Sequence, residues 1–329
     1  MAIEQDLNIS INGFNSEDDA NTIGYFVLDA IRTLDEKFGL SLSKLRSVVI
    51  SYDFASALQK VTSGYSHKSP SSFTKSSQGE AVGQLVAKMD PSGHHAEFTL
   101  VLSAVFFVEL FSDEGKIVAT PDGVKAVIHK IHHELAHVHE FNTITTLDNN
   151  FTVGEYGNAV LLTAKKAWSE YLANYLSAPT APQESVDIFL EHYNNVIKEV
   201  PSEIYEFKEK YCTRVIPLNQ MFHEVNKRIK LIVDACGYAM GYVHSLNIDI
   251  EDYFPELPKS LNDKHLSISF ATLSEAFSDL RIKYENNELK TLDDYKSIAE
   301  TIDNIYKEFG ITLDSDGWGS ESGLYIHVN

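Results

Sequence analysis

Residues 120–141 read TPDGVKAVIHKIHHELAHVHEF, and the rest of the chain is best understood outward from them. Thr120 followed by Pro121 is a helix start, with a hydroxyl to cap free N–H groups and a proline whose missing donor costs nothing in the first turn. Val124, Ile128, Ile131, Leu135 and Val138 then recur at steps of 4, 3, 4 and 3, an apolar seam suited to packing on strands. On a wheel of about 100° per residue, His133 and His137 fall roughly 180° to 220° from the centre of that seam. Their imidazoles are therefore expected to look away from the sheet.

The flanking sequence supplies the strands. Ile23, Phe26, Val27, Ala30, Ile31, Leu34 and Phe38 predict a first helix after an acidic start at Ser16–Asp19. Segments 45–52, 81–89 and 97–103 are rich in Val, Ile, Phe and Leu and read as strands. Thr62–Gly79 is Ser-rich with one proline and reads as a loop. Two prolines in Ala178-Pro179-Thr180-Ala181-Pro182 mark a boundary, dividing the chain into domains 1–178 and 183–329. Beyond it the pattern is helical: a face from Val186 to Val200 stopped by Pro201, a second piece through Ile204, Phe207 and Tyr211, then 218–246, 273–284 and 295–309. Leu324–Val328 is strand-like. The expected fold class is α+β, a mixed N-terminal domain followed by a mostly α-helical one.

Within the decisive helix, His133-Glu134-Leu135-Ala136-His137 is an HExxH motif. Two His at i and i+4 stand one turn apart on the same face, close enough to bind one zinc ion, and the Glu between them reaches a metal-bound water. Catalytic zinc takes a third protein ligand. Glu170, in Ala167-Trp168-Ser169-Glu170-Tyr171-Leu172-Ala173-Asn174-Tyr175, is the expected one, with Asn174 a turn further on as a partner for the free nitrogen of a His ligand. Glu140 is a rival carboxylate on the ligand face, though a third ligand from the same helix strains a tetrahedral arrangement, and Glu155 is another in a Gly-rich turn. His129 shares the ligand face but lies about 12 Å along the helix from His137. With His132 and His139 it is expected to face solvent or line the rim of a cleft.

The motif and the second helix together resemble the gluzincin group of zinc metallopeptidases, and Glu170-Tyr171-Leu172-Ala173-Asn174-Tyr175 is similar to the E-x-x-A-N pattern of the ImmA/IrrE-type intracellular metallopeptidases. The resemblance covers about residues 97–177. It implies a zincin-like N-terminal domain, a Zn²⁺ cofactor held by His133, His137 and Glu170, Glu134 as general base, a helical domain that closes the cleft, and a protein or peptide substrate. By the same analogy an oxyanion donor comes from the second domain. Tyr242 and His244 are the candidates, because the Gly237 and Gly241 face of their helix permits close approach; small residues there also serve plain helix packing. Segment 97–103 is either the edge strand along which zincins lay an extended substrate or an ordinary sheet strand. The metzincin variant is excluded, since Glu140 and Thr143 stand where it needs Gly and His. The competing readings are a non-catalytic binding or regulatory protein on a zincin-like scaffold, and a chance HExxH in an unrelated α+β protein.

Composition bounds the partners. The 329 residues carry 27 Lys+Arg against 47 Asp+Glu, a net charge of −20 present in both halves, with 43% hydrophobic and 11% aromatic residues. That is an ordinary globular chain, and its sign repels phosphate backbones and anionic lipid, so neither nucleic acid nor membrane is an expected partner. Met1–Ser10 lacks the basic and apolar regions of a signal peptide and no apolar run spans a bilayer, which points to the cytoplasm. Cys212 and Cys236 read as small buried side chains rather than a bridge. His94-His95 reads as a turn, and Asp314–Gly317 lacks the ligands of a calcium loop.

Overall fold

A computed structural model describes residues 7–14, 16–65, 75–76, 79–80, 82–144, 153–317 and 323–329. It is α+β and divides into two compact units, Met1–Asn150 with Thr180–Pro182, and Phe151–Pro179 with Gln183–Asn329.

The first unit runs β1 (Asn8–Asn12), α1 (Glu17–Phe38), β2 (Leu45–Ser51), α2 (Phe54–Ser63), the short pair β3 (Lys75–Ser76) and β4 (Gly79–Glu80), β5 (Gly83–Met89), β6 (His95–Ser103), a 3₁₀ turn (Ala104–Leu110) and α3 (Pro121–Thr143). Four strands form a mixed sheet in the order β1-β2-β6-β5, with β1-β2 and β2-β6 parallel and β5-β6 antiparallel. The period-2 alternation of strands sorts the faces. Val48, Ile50, Phe98, Leu100 and Leu102 face a core shared with Ile23, Val27 and Ile31 of α1 and Val127, Ile131 and Leu135 of α3, while Val49, Val86 and Val101 face Phe54 and Leu58 of α2. Between the two readings of segment 97–103, the structure takes the ordinary strand: β6 is interior, and the sheet ends at β5.

Helix α1 starts where expected, with the Ser16 hydroxyl accepting from the Asp19 N–H, and ends at Gly39 with φ +63°. β1 and α2 escaped the sequence reading. β1 is only five residues long and gains its meaning from its parallel pairing to β2, and α2 is a ten-residue helix whose apolar positions match a sheet face that sequence alone does not display. Most of the Thr62–Gly79 loop lies outside the described residues.

The second unit contains α4 (Glu155–Ser177), α5 (Gln183–Cys212), α6 (Leu218–Leu246), the short α7 (Ile250–Tyr253) and α8 (Glu256–Asp263), α9 (Ser267–Glu285), α10 (Lys296–Glu308) and the antiparallel pair β7 (Ile311–Asp314) and β8 (Tyr325–Val328). The sequence reading divides the chain at the prolines after Ser177; by packing, α4 joins the helices, because Trp168, Tyr171 and Leu172 are buried against α6 and α9. Pro201 does not stop its helix, a correction. α5 runs through it, with Val200, Pro201 and Ile204 all buried, so tertiary packing outweighs the one lost backbone hydrogen bond. Cys212 is also corrected: it is exposed, at the C-terminus of α5, whereas Cys236 is buried, and both are free thiols. No helix among the described residues is long and apolar enough to cross a membrane.

Candidate metal centre

Helix α3 begins as the sequence dictates. The Gly123 N–H donates to the Thr120 hydroxyl at 3.2 Å, with Pro121 in the first turn. Its burial is wider than a single seam. Val127, Ile131, Leu135 and Val138 are in the core, but so are His129, His132 and Glu140, at 5%, 0% and 4% exposure. The expectation that His129 and His132 face solvent or rim a cleft is therefore corrected, while His139 is partly accessible. His129 and His132 both hydrogen-bond the Thr180 hydroxyl through Nδ1, at 3.3 and 3.0 Å, and the His132 ring packs on Phe38 at 4.3 Å. His139 Nδ1 accepts from the Ser41 N–H at 2.7 Å, and the Asn142 amide donates to the Ser41 carbonyl. These groups pin α3 to the segment after α1 and to residues 180–182. Burial drives the His132 pKa from 6.5 to about 4 and lowers that of His139.

His133, Glu134 and His137 are each partly accessible on the same helix. The two imidazoles stand edge to face, with centroids 4.9 Å apart, as an i, i+4 pair must. Among the described residues one group of three His, Cys, Asp or Glu can hold a metal ion: His133, His137 and Glu170, with one ligand atom from each all within 4.8 Å of one another. Two neutral imidazoles and a carboxylate are a borderline donor set that suits zinc and neighbouring divalent metals. The residues fit a metal ion; its identity is not given by their positions.

The sequence reading missed Gly83. A Cβ built there would come 2.5 Å from Glu134 Oε1 and 2.8 Å from its carboxyl carbon, so a side chain at residue 83 would displace this carboxylate from its present place beside the start of β5. A glycine opening a strand was the available signal, but nothing local named its neighbour. Around Glu170 a second feature emerges: Lys166, one turn earlier on α4, pairs with Asp234 of α6 at 2.6 Å. Burial raises the Asp234 carboxyl above the usual range even with that ammonium beside it, and Glu170 adds to the negative field.

The remaining residues are placed as follows. The Asn174 amide donates to the Tyr238 carbonyl of α6 at 2.9 Å. Glu155 is exposed in the first turn of α4, and neither it nor Glu140 belongs to the three-residue group. Glu140 instead holds a carboxylate oxygen 3.9 Å from His137 Nδ1. Tyr242 is 1% exposed and stacks on Phe189, and burial raises its pKa. His244 is hydrogen-bonded at Nδ1 to the Tyr171 hydroxyl (2.8 Å) and at Nε2 to Ser274 Oγ (3.1 Å), its pKa brought down to about 4 by burial and by Arg281. Gly237 and Gly241 serve the close packing of α6 on α4: a Cβ at either would stand 2.5 Å from the carbonyl oxygen of Ala167 or Tyr171. His94 closes a turn on Asp90, and Asp314 pairs with His327 at 3.0 Å. No family model, curated protein or solved structure matches this chain.

Proposed function

We propose that this protein is a zinc-dependent metallopeptidase. The observation that carries the reading is the convergence of His133, His137 and Glu170 within 4.8 Å, with Glu134 on the same face of α3. His133, His137 and Glu170 would hold the ion. When bound, zinc would supply Lewis acidity toward a substrate carbonyl and lower the pKa of water at the site. Glu134 acts as general base and then general acid: its carboxylate takes a proton from water as the oxygen bonds to the carbonyl carbon, and returns that proton to the amide nitrogen as the C–N bond breaks. Strand β5, the last in the sheet order, begins at that carboxylate and supports an extended peptide as substrate. The acidic chain favours basic or neutral peptides over acidic ones.

Glu134→Gln keeps the shape of the side chain and removes the base. Peptide hydrolysis is expected to fall by about 10² to 10⁴, while zinc content, measured by elemental analysis, stays near one ion per chain. Hydrolysis undiminished in this variant, or wild-type protein that takes up no zinc, sinks the proposal.

One observation favours a second reading, a binding or regulatory protein with a structural metal. Tyr242 and His244, the two oxyanion-donor candidates, are both engaged in packing the helical unit. Under that reading Glu134→Gln leaves partner binding intact, and replacing both His133 and His137 by Ala abolishes it.

A further inference from the structure

Glu140 has no role in the proposed reaction, yet it is a carboxylate at 4% exposure on the face of α3 that carries His137. Burying a carboxylate costs several kcal/mol unless other groups use its charge. Residue 140 lies in the last turn of a helix ending at Thr143, where the macrodipole disfavours an anion and where that turn carries no basic residue. The geometry gives an account. Three residues on from His137, its Oε2 stands 3.9 Å from the Nδ1 of that ring.

A neutral imidazole has one N–H and one lone pair, and only the nitrogen with the lone pair can bind a metal. An ionised carboxylate accepts and cannot donate, so its place beside Nδ1 selects the tautomer with the proton there. We infer that Glu140 is a positioning residue, whose carboxylate holds the proton of His137 on Nδ1 and so presents the Nε2 lone pair to the metal. The present 3.9 Å is an ion-pair separation, and a direct hydrogen bond would close it by about 1 Å. The same charge also reaches His139, which already uses its Nδ1 to accept from Ser41 and so carries its own neutral-state proton on Nε2. The inference rests on the metal-centre reading, and it assigns Glu140 to the ring of His137 instead of to the ion.

The test uses full-length, metal-free protein with ¹⁵N-labelled histidine at pH 8. Ring nitrogen shifts of His137, assigned by comparison with His137→Gln, report the tautomer directly. Zinc affinity is measured by competition with a chromophoric chelator. Wild type is expected to show the Nδ1–H form. Glu140→Met, which fills the space without an acceptor, should move the ring toward Nε2–H and weaken zinc binding about 10- to 100-fold. Glu140→Gln keeps an acceptor oxygen in the same shape and should lose less than Met. Wild type in the Nε2–H form overturns the inference even if the Met variant fails to fold. Unchanged tautomer and affinity in Glu140→Met overturn the positioning role while leaving the metal centre standing. A wild type with the Nδ1–H form that takes no zinc instead overturns the metal centre.

Discussion

His132 is fully buried, bonded to Thr180 through one nitrogen, stacked near Phe38, and its Nε2 has no hydrogen-bond partner among the described residues. Burial away from water penalises the charged imidazolium, and neighbouring His133 and Lys37 add to the penalty, which brings its pKa to about 4 against 6.5 in the unfolded chain. Because the folded pKa is the lower one, the unfolded state takes up the proton first as pH falls. The stability contribution is complete above about pH 6.5 and is lost progressively toward pH 4, to a total of about 3 kcal/mol. Urea unfolding of metal-free protein between pH 7.5 and 4.5 should show that loss, and His132→Leu should flatten the slope. An equal slope in the variant would assign the acid sensitivity elsewhere. The pair His133 and His137 was legible in the sequence because helical spacing decides which side chains share a face, and Glu170 was named as a carboxylate on the next helical segment. The burial of His129 and His132 was not legible, since a wheel with one seam assumes one neighbour and α3 has packing partners on more than one side.

Helices α4 and α6 are held at a distance that only glycine allows. At Gly241 a Cβ would meet the Tyr171 carbonyl at 2.5 Å and the Asn174 Cβ at 2.7 Å, groups fixed by a helix backbone and a buried side chain. Gly241→Ala is therefore expected to cost about 1 to 3 kcal/mol, seen as a lower urea midpoint at unchanged slope. No change in midpoint would mean that the two helices separate at little cost. The same element shows why α5 ignores Pro201: a 30-residue helix buried along one face loses one hydrogen bond and keeps the burial of Val196, Ile197, Val200 and Ile204. Long amphipathic elements were legible for that reason. β1 and α2 are short, and each packs on a strand farther along the chain, β1 on β2 and α2 on β6, so no local signal announced them.

For the whole molecule, a ligand that binds only the folded chain must stabilise it. Zinc at about 100 times its dissociation constant should raise the unfolding free energy by about 2.7 kcal/mol, and calorimetry should record a transition several degrees higher that a chelator reverses. His133→Ala with His137→Ala should remove the increment, and a zinc-independent transition in wild type would count against the centre. Under the proposed function, the net charge of −20 would disfavour acidic polypeptides, an effect that salt weakens. From the sequence came the α+β class, the position and cap of α3, the HExxH pair and the charge, because each depends on residue type and short-range spacing. The folded chain added the interior position of β6, the meeting of Gly83 with Glu134 and the burial of Glu140 beside His137. Except for Glu140 beside His137, these depend on which distant segments share a core, and that follows from burying apolar surface over the whole chain; even the Glu140 contact, three residues apart, became a buried pair only once the fold closed over it.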